Sequence, residues 1–207
     1  QTLFESSPCS CYGFSESEML ELGSLFTWLV ASGGNPTDAE VFSNAPCACY
    51  GVSFYEMIKI SALTQLSETI TGNAVTTAAL LTEAACFQCN SNASLADMMV
   101  LALLARIEGT GVTANTLYGE ASCYTCLGIS QAEALEAALL RRISLANDPT
   151  ADTSTAALMT DSSCVTCFSD GSLGMALLLR LSLQNQIAST TESVSSLDTL
   201  IVKSADQ

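Results

Sequence analysis

Apolar residues recur along this chain with the rhythm of helices, not strands. Leu22, Leu25, Phe26, Leu29 and Val30 fall at i, i+3, i+4, i+7 and i+8, one face of an α-helix. Ile58, Ala62, Leu63 and Leu66 repeat the pattern. A third stretch, Met98 to Ala105, is apolar nearly all round, as expected of a helix covered on both sides. The third and fourth stretches match closely, Ala-Leu-Leu-Ala-Arg106-Ile against Ala-Leu-Leu-Arg-Arg142-Ile, and a fifth carries Met175 to Leu179 and then Arg180. Arginines near a helix C-terminus interact favourably with the helix dipole.

Polar punctuation frames each apolar stretch. A serine with an acid three positions on precedes four of them: Ser15/Glu18, Ser53/Glu56, Ser94/Asp97 and Ser130/Glu133. This is the capping-box pattern, in which the serine side chain accepts from the N3 amide and the acid reaches back to the cap amide. In the fifth copy Ser172 is the expected cap, with Met175 in place of the acid. The long helices should break at Gly33-Gly34-Asn35-Pro36, Gly72-Asn73, Gly109-Thr-Gly111 and Asn147-Asp148-Pro149, all turn-forming residues. A shorter helix is expected after each long one, starting at Thr37, Thr76, Thr113, Thr153 or Thr191, the last of these acting as a longer C-terminal cap.

Just ahead of each capped helix stands a cysteine doublet: Cys9/Cys11, Cys47/Cys49, Cys86/Cys89, Cys123/Cys126 and Cys164/Cys167. Their first cysteines are 38, 39, 37 and 41 residues apart. A steady period of this size marks a repeat protein. The expected fold is all-α: about five helical-hairpin repeats of about 39 residues, in a short α-solenoid or a compact array. The repeats fall at about 6–45, 46–84, 85–121, 122–162 and 163–207 of a single domain.

Composition narrows the function classes. The chain of 207 residues is 49% hydrophobic, enough for a sizeable core, yet only 13% charged. That is about half the charge of an ordinary soluble domain, and such a surface suits contact with other protein. The net charge is −15, from 21 acids against 6 bases. No basic patch exists for nucleic-acid phosphates, and an anionic membrane would repel the chain. The longest apolar run, Met98 to Ala105, is far below the roughly 20 residues of a membrane span. The N-terminus has neither a signal-peptide pattern nor an initiator Met, as expected of a processed virion or secreted protein.

The cysteines admit three roles. Ten thiols in doublets without a single His fit a disulfide framework, within or between stacked corners. Two CxxC turns would also supply four thiolates to zinc, although 33 or more residues separate the doublets here. Free thiols acting as small hydrophobes are the third role. No base–nucleophile set, P-loop or dinucleotide fingerprint is present, so no enzymatic activity and no cofactor are expected. Glu16, Glu18 and Glu21 read as a solvated helix start, Trp28 as core, and Tyr12, Tyr50 and Tyr124 as packing for the cysteine corners.

The phrases Ala-Ala-Cys86-Phe-Gln-Cys89, Ala-Ser-Cys123-Tyr-Thr-Cys126-Leu-Gly and Ala-Leu-Leu-Ala-Arg-Ile resemble the CxxC-repeat helical structural proteins of tailed bacteriophages. The likeness runs from Cys47 to about Leu183, while Cys9-Ser-Cys11 and Cys47-Ala-Cys49 are one residue shorter than the motif. It implies a non-enzymatic virion component of the head–tail region, tail or surface decoration, with itself or other virion proteins as partners. The alternatives are a secreted or cell-surface module or filament subunit stapled by disulfides, and a zinc-binding protein with four cysteine ligands per site.

Overall fold

A computed structural model describes residues 14–34, 51–87, 93–109, 111–112, 114–122, 124, 127–161 and 174–205; beyond residue 191 only the backbone helix is described. Among these residues the chain is all-helical and has no strand. The elements are α1 (Glu16–Ala31), α2 (Phe54–Thr71), α3 (Thr77–Ala84), a 3-10 turn (Ala85–Phe87), α4 (Leu95–Glu108), α5 (Ala114–Ala121), α6 (Gln131–Asn147), α7 (Thr155–Asp161) and α8 (Met175–Ala205).

The four expected capping boxes start α1, α2, α4 and α6, with Ser15, Ser53, Ser94 and Ser130 as caps and both reciprocal bonds formed. Two helix ends need glycine. Gly72 and Gly109 close α2 and α4 at φ 67° and 73°, a left-handed conformation that a Cβ would strain. Asp148 ends α6 in extended backbone just before Pro149. Thr76 caps α3 by accepting from the Ala79 amide at 3.2 Å.

Three expectations need correction. Thr153 does not begin α7: it is buried and accepts from Arg141 Nε at 3.1 Å, while Ser154 accepts from the Ala157 amide at 3.3 Å. Thr191 begins no helix, because α8 runs unbroken through it and its hydroxyl donates to the Ile187 carbonyl at 2.8 Å. No glycine or proline stands there to stop the helix. The fifth cap falls at Gly174, two residues past Ser172, which itself lies outside the described residues. The Leu178 amide donates to Gly174 O at 3.3 Å, the bond that the cap carbonyls of Ser15, Ser53, Ser94 and Ser130 receive from four residues on. The expected starts at Thr37 and Thr113 also lie outside the described residues.

The five long helices pack in chain order, α1 on α2, α2 on α4, α4 on α6 and α6 on α8, and α8 returns to pack on α1. Their order is thus a closed ring. The first turns of α2, α4 and α6 line one cavity with Arg180 of α8. The last turns of α1, α2, α4 and α6 line another with Thr191 of α8, so the helices run parallel. The short helices form an outer layer. Each packs on the long helix that follows it: α3 on α4, α5 on α6 and α7 on α8. Arginines twelve residues after the cap tie the two layers. Arg106 reaches Glu83 of α3 at 2.6 Å, and Arg142 reaches Glu120 of α5 at 2.8 Å and Glu108 of α4 at 2.9 Å.

Inside the ring the residues stack by distance from the cap. Ten residues on, Leu25, Leu63, Leu104 and Leu140 are all buried, with Gln184 at the same distance from Gly174. Thirteen on come Trp28, Leu66, Ile107, Ile143 and Ile187, all in one apolar cluster. Phe87 and Tyr124, the aromatics of two cysteine corners, join it.

Candidate functional site

Six residues past the cap the pattern changes. There α1 carries Glu21, α2 Lys59, α4 Val100 and α6 Glu136, and six past Gly174 stands Arg180 of α8. A charge on the apolar face of a helix is costly to bury unless a partner meets it. Ring closure supplies the partners. Lys59 Nζ lies 2.7 Å from Glu21 Oε1 and 2.8 Å from Glu136 Oε1. Arg180 Nη2 donates to Glu21 Oε2 at 3.2 Å, and its Nη1 to Glu136 Oε2 at 3.4 Å. The four charges make a cycle in which each cation touches both carboxylates. Four helices contribute one member each, and the formal charges cancel.

Tyr55, one turn before Lys59, completes the layer by donating its hydroxyl to Glu21 Oε2 at 2.6 Å. Glu133 approaches Arg180 Nη1 at 3.8 Å from the rim. Burial pushes the Glu21 carboxyl up, but Lys59, Arg180 and the two hydrogen bonds outweigh it and hold the pKa at about 2. Burial lowers Lys59, and the Glu136 and Glu21 carboxylates more than reverse it, so the ammonium is held above its usual range. Burial and the Glu21 charge both raise Tyr55, which keeps its proton as donor. Arg180 is likewise raised, with burial opposing Glu21 and Glu136.

The cycle floors a cavity of about 320 Å³ at the N-terminal mouth of the ring. Its rim carries the acids of three capping boxes, each bonded to its own cap amide: Glu56 to Ser53 at 2.6 Å, Asp97 to Ser94 at 2.9 Å and Glu133 to Ser130 at 2.8 Å. The opposite mouth holds a cavity of about 220 Å³ lined mainly by apolar groups, Trp28, Ile70, Ile107 and Ile143 among them. A third, of about 550 Å³, lies in the outer layer between α5 and the start of α7.

Ser15, Glu18, Ser53, Glu56, Ser94, Asp97, Ser130 and Glu133 are helix caps, as expected. The solvated helix start needs correction at Glu21, which is only 3% exposed and belongs to the charge cycle. Arg180 sits near the beginning of α8, where its guanidinium serves the cycle and not the C-terminal dipole. Trp28 is core, 1% exposed. Of the ten cysteines, Cys86 falls in the 3-10 turn, its side chain undescribed. Cys9, Cys11, Cys47, Cys49, Cys89, Cys123, Cys126, Cys164 and Cys167 lie outside the described residues, as do Tyr12 and Tyr50. Among the described residues no cluster of His, Cys, Asp or Glu has the arrangement of a metal site, and no helix is long and apolar enough to cross a membrane.

The signal for the charged layer is present in the sequence. Written in register from their caps, Glu21, Lys59, Val100 and Glu136 share one column, opposite signs in an otherwise apolar stripe. Comparison with protein-family models, curated protein sequences and solved structures returns no match.

Proposed function

We propose that this chain is a non-enzymatic structural protein, built from about five copies of a 39-residue helical unit, that works through protein–protein contacts. Its best-fitting setting is the virion of a tailed phage, as a head–tail, tail or surface-decoration component. The observation that carries the reading is the charge cycle. Glu21, Lys59, Glu136 and Arg180 spend their ion-pairing capacity on one another, as a framework does, whereas a reactive group must be left free to meet substrate. The low charge density supports the same reading from the surface side. The structural class does not depend on the phage setting, which rests on the resemblance of the cysteine corners.

Mass spectrometry of purified virions tests the setting directly: stoichiometric copies of the chain are expected. Light scattering at micromolar concentration tests the contacts, with multimers expected for self-assembly. A strictly monomeric chain absent from virions would overturn the proposal. The ten cysteines, standing in five doublets along the sequence, favour a second setting, a secreted disulfide-stapled module, for which intact mass should rise by about two daltons per bridge on reduction.

A further inference from the structure

The C-terminal mouth of the ring has the features of a small-molecule pocket. The cavity of about 220 Å³ is larger than the roughly 150 Å³ at which an engineered apolar protein cavity takes up benzene. Three of its walls are buried apolar side chains: Trp28 is 1% exposed, Ile107 8% and Ile143 4%. It opens past Ile70, which is 44% exposed. The polar side chains at this mouth are Ser32, Glu108, Asn147 and Thr191, and the Thr191 hydroxyl is already given to the Ile187 carbonyl. Ser32 lines the cavity, and its Oγ is buried without a hydrogen-bond partner. A buried hydroxyl left in that state costs free energy that a ligand would recover by bonding to it.

The electrostatics select the ligand class. Four of the long helices, α1, α2, α4 and α6, bring their C-terminal ends here, the ends that leave carbonyls as acceptors. The one charged lining residue, Glu108, is already held by Arg142 at 2.9 Å. Among the described residues no cation lines the cavity to pair with an anion, and no uncompensated carboxylate calls for a cation. The matching molecule is neutral, mostly apolar, and carries one O–H or N–H donor.

We infer that the C-terminal mouth is a binding site for a small neutral aromatic or aliphatic alcohol, seated between Trp28, Ile107 and Ile143 and hydrogen-bonded to Ser32. This site is independent of the structural role and stands or falls separately from it.

Trp28 is the only tryptophan of the chain and lines the cavity, so its emission reports occupancy. Benzyl alcohol titrated into the full chain, with excitation at the red edge of the indole band, should give a saturable change in that emission. Ile143→Phe, which fills the cavity, should abolish saturation while circular dichroism stays helical. Ser32→Ala should weaken benzyl alcohol about fivefold and leave toluene unchanged, a contrast that does not depend on how Ile143→Phe folds. A non-saturable response of the wild-type chain would overturn the inference. So would equal benzyl alcohol affinity in a folded Ile143→Phe variant, or equal weakening of both probes by Ser32→Ala.

Discussion

The two mouths of the ring are built by the same helices and differ in almost every property. At the N-terminal mouth the backbone amides are met by serines and acids, and the floor is a closed cycle of ions. At the C-terminal mouth α2, α4 and α6 end on glycine or extended backbone, and the apolar part of the lining is Trp28 with three isoleucines and Ala146. The contrast separates two jobs. An apolar layer rewards contact without regard to which neighbour supplies it. A charged layer does not, because slipping one helix by a turn would leave an ion buried without a partner. The N-terminal mouth therefore sets which helix meets which and at what height. The C-terminal mouth, free of that duty, keeps open space.

The comparison can be broken most severely at Lys59. Lys59→Met leaves Glu21 and Glu136 sharing Arg180 alone and should cost about 3–5 kcal/mol in urea unfolding. A loss below about 1 kcal/mol would mean that the cycle does not hold the ring.

Acid should act on the same mouth. The Glu21 pKa falls from 4.5 to about 2 on folding. The unfolded chain therefore takes up this proton first as pH drops. Stability from Glu21 is complete above pH 4.5 and is lost progressively toward pH 2, by on the order of 3 kcal/mol. Glu21→Gln should remove that part of the pH dependence, as read from unfolding free energies across the window.

Smaller changes probe the helix ends. Ser130→Ala at the N-terminal mouth and Gly109→Ala at the C-terminal mouth should each cost about 1 kcal/mol, one by losing a cap and the other by forcing a Cβ into left-handed backbone. Thermal unfolding that moves for one and not the other would show that the two ends are not equally well ordered.

A smaller loss than that of Lys59→Met alone is expected when Glu21, Lys59, Glu136 and Arg180 are replaced together by Leu, Met, Leu and Met. Stability should stay within about 2 kcal/mol of wild type. Register, however, should loosen, with faster amide exchange in α1 and α8. Unchanged exchange would assign the cycle no part in specificity.

The local framework of this molecule was legible in its sequence because its signals are local. A serine and an acid three residues apart define a cap wherever they occur, which is why Ser15, Ser53, Ser94 and Ser130 fall in place. Gly72 and Gly109 mark helix ends for an equally local reason. The fifth long helix misled at both its ends. Ser172 has the residue type of a cap, but the helix begins at Met175, with Gly174 just before it; Thr191 resembles its counterparts but lacks a breaker before it. The charged layer shows only when the helices are written side by side in register from their caps, and no single helix reveals it. Within α1 alone Glu21 looks like a solvated acid, and its partner Arg180 lies 159 positions of chain away. A contact so distant leaves no periodic trace within either helix.

Val100 gives that layer one more consequence. Signs can alternate without conflict around a ring with an even number of sites, never around one with an odd number. Here the order is Glu21, Lys59, Val100, Glu136, Arg180, and back to Glu21: minus, plus, nothing, minus, plus. With five sites, a full set of charges would set two like signs side by side, the frustration of an odd magnetic ring. The neutral valine is the vacancy that relieves it. Five identical helices could not have built this layer, so a difference at one column was a geometric necessity of closing at five.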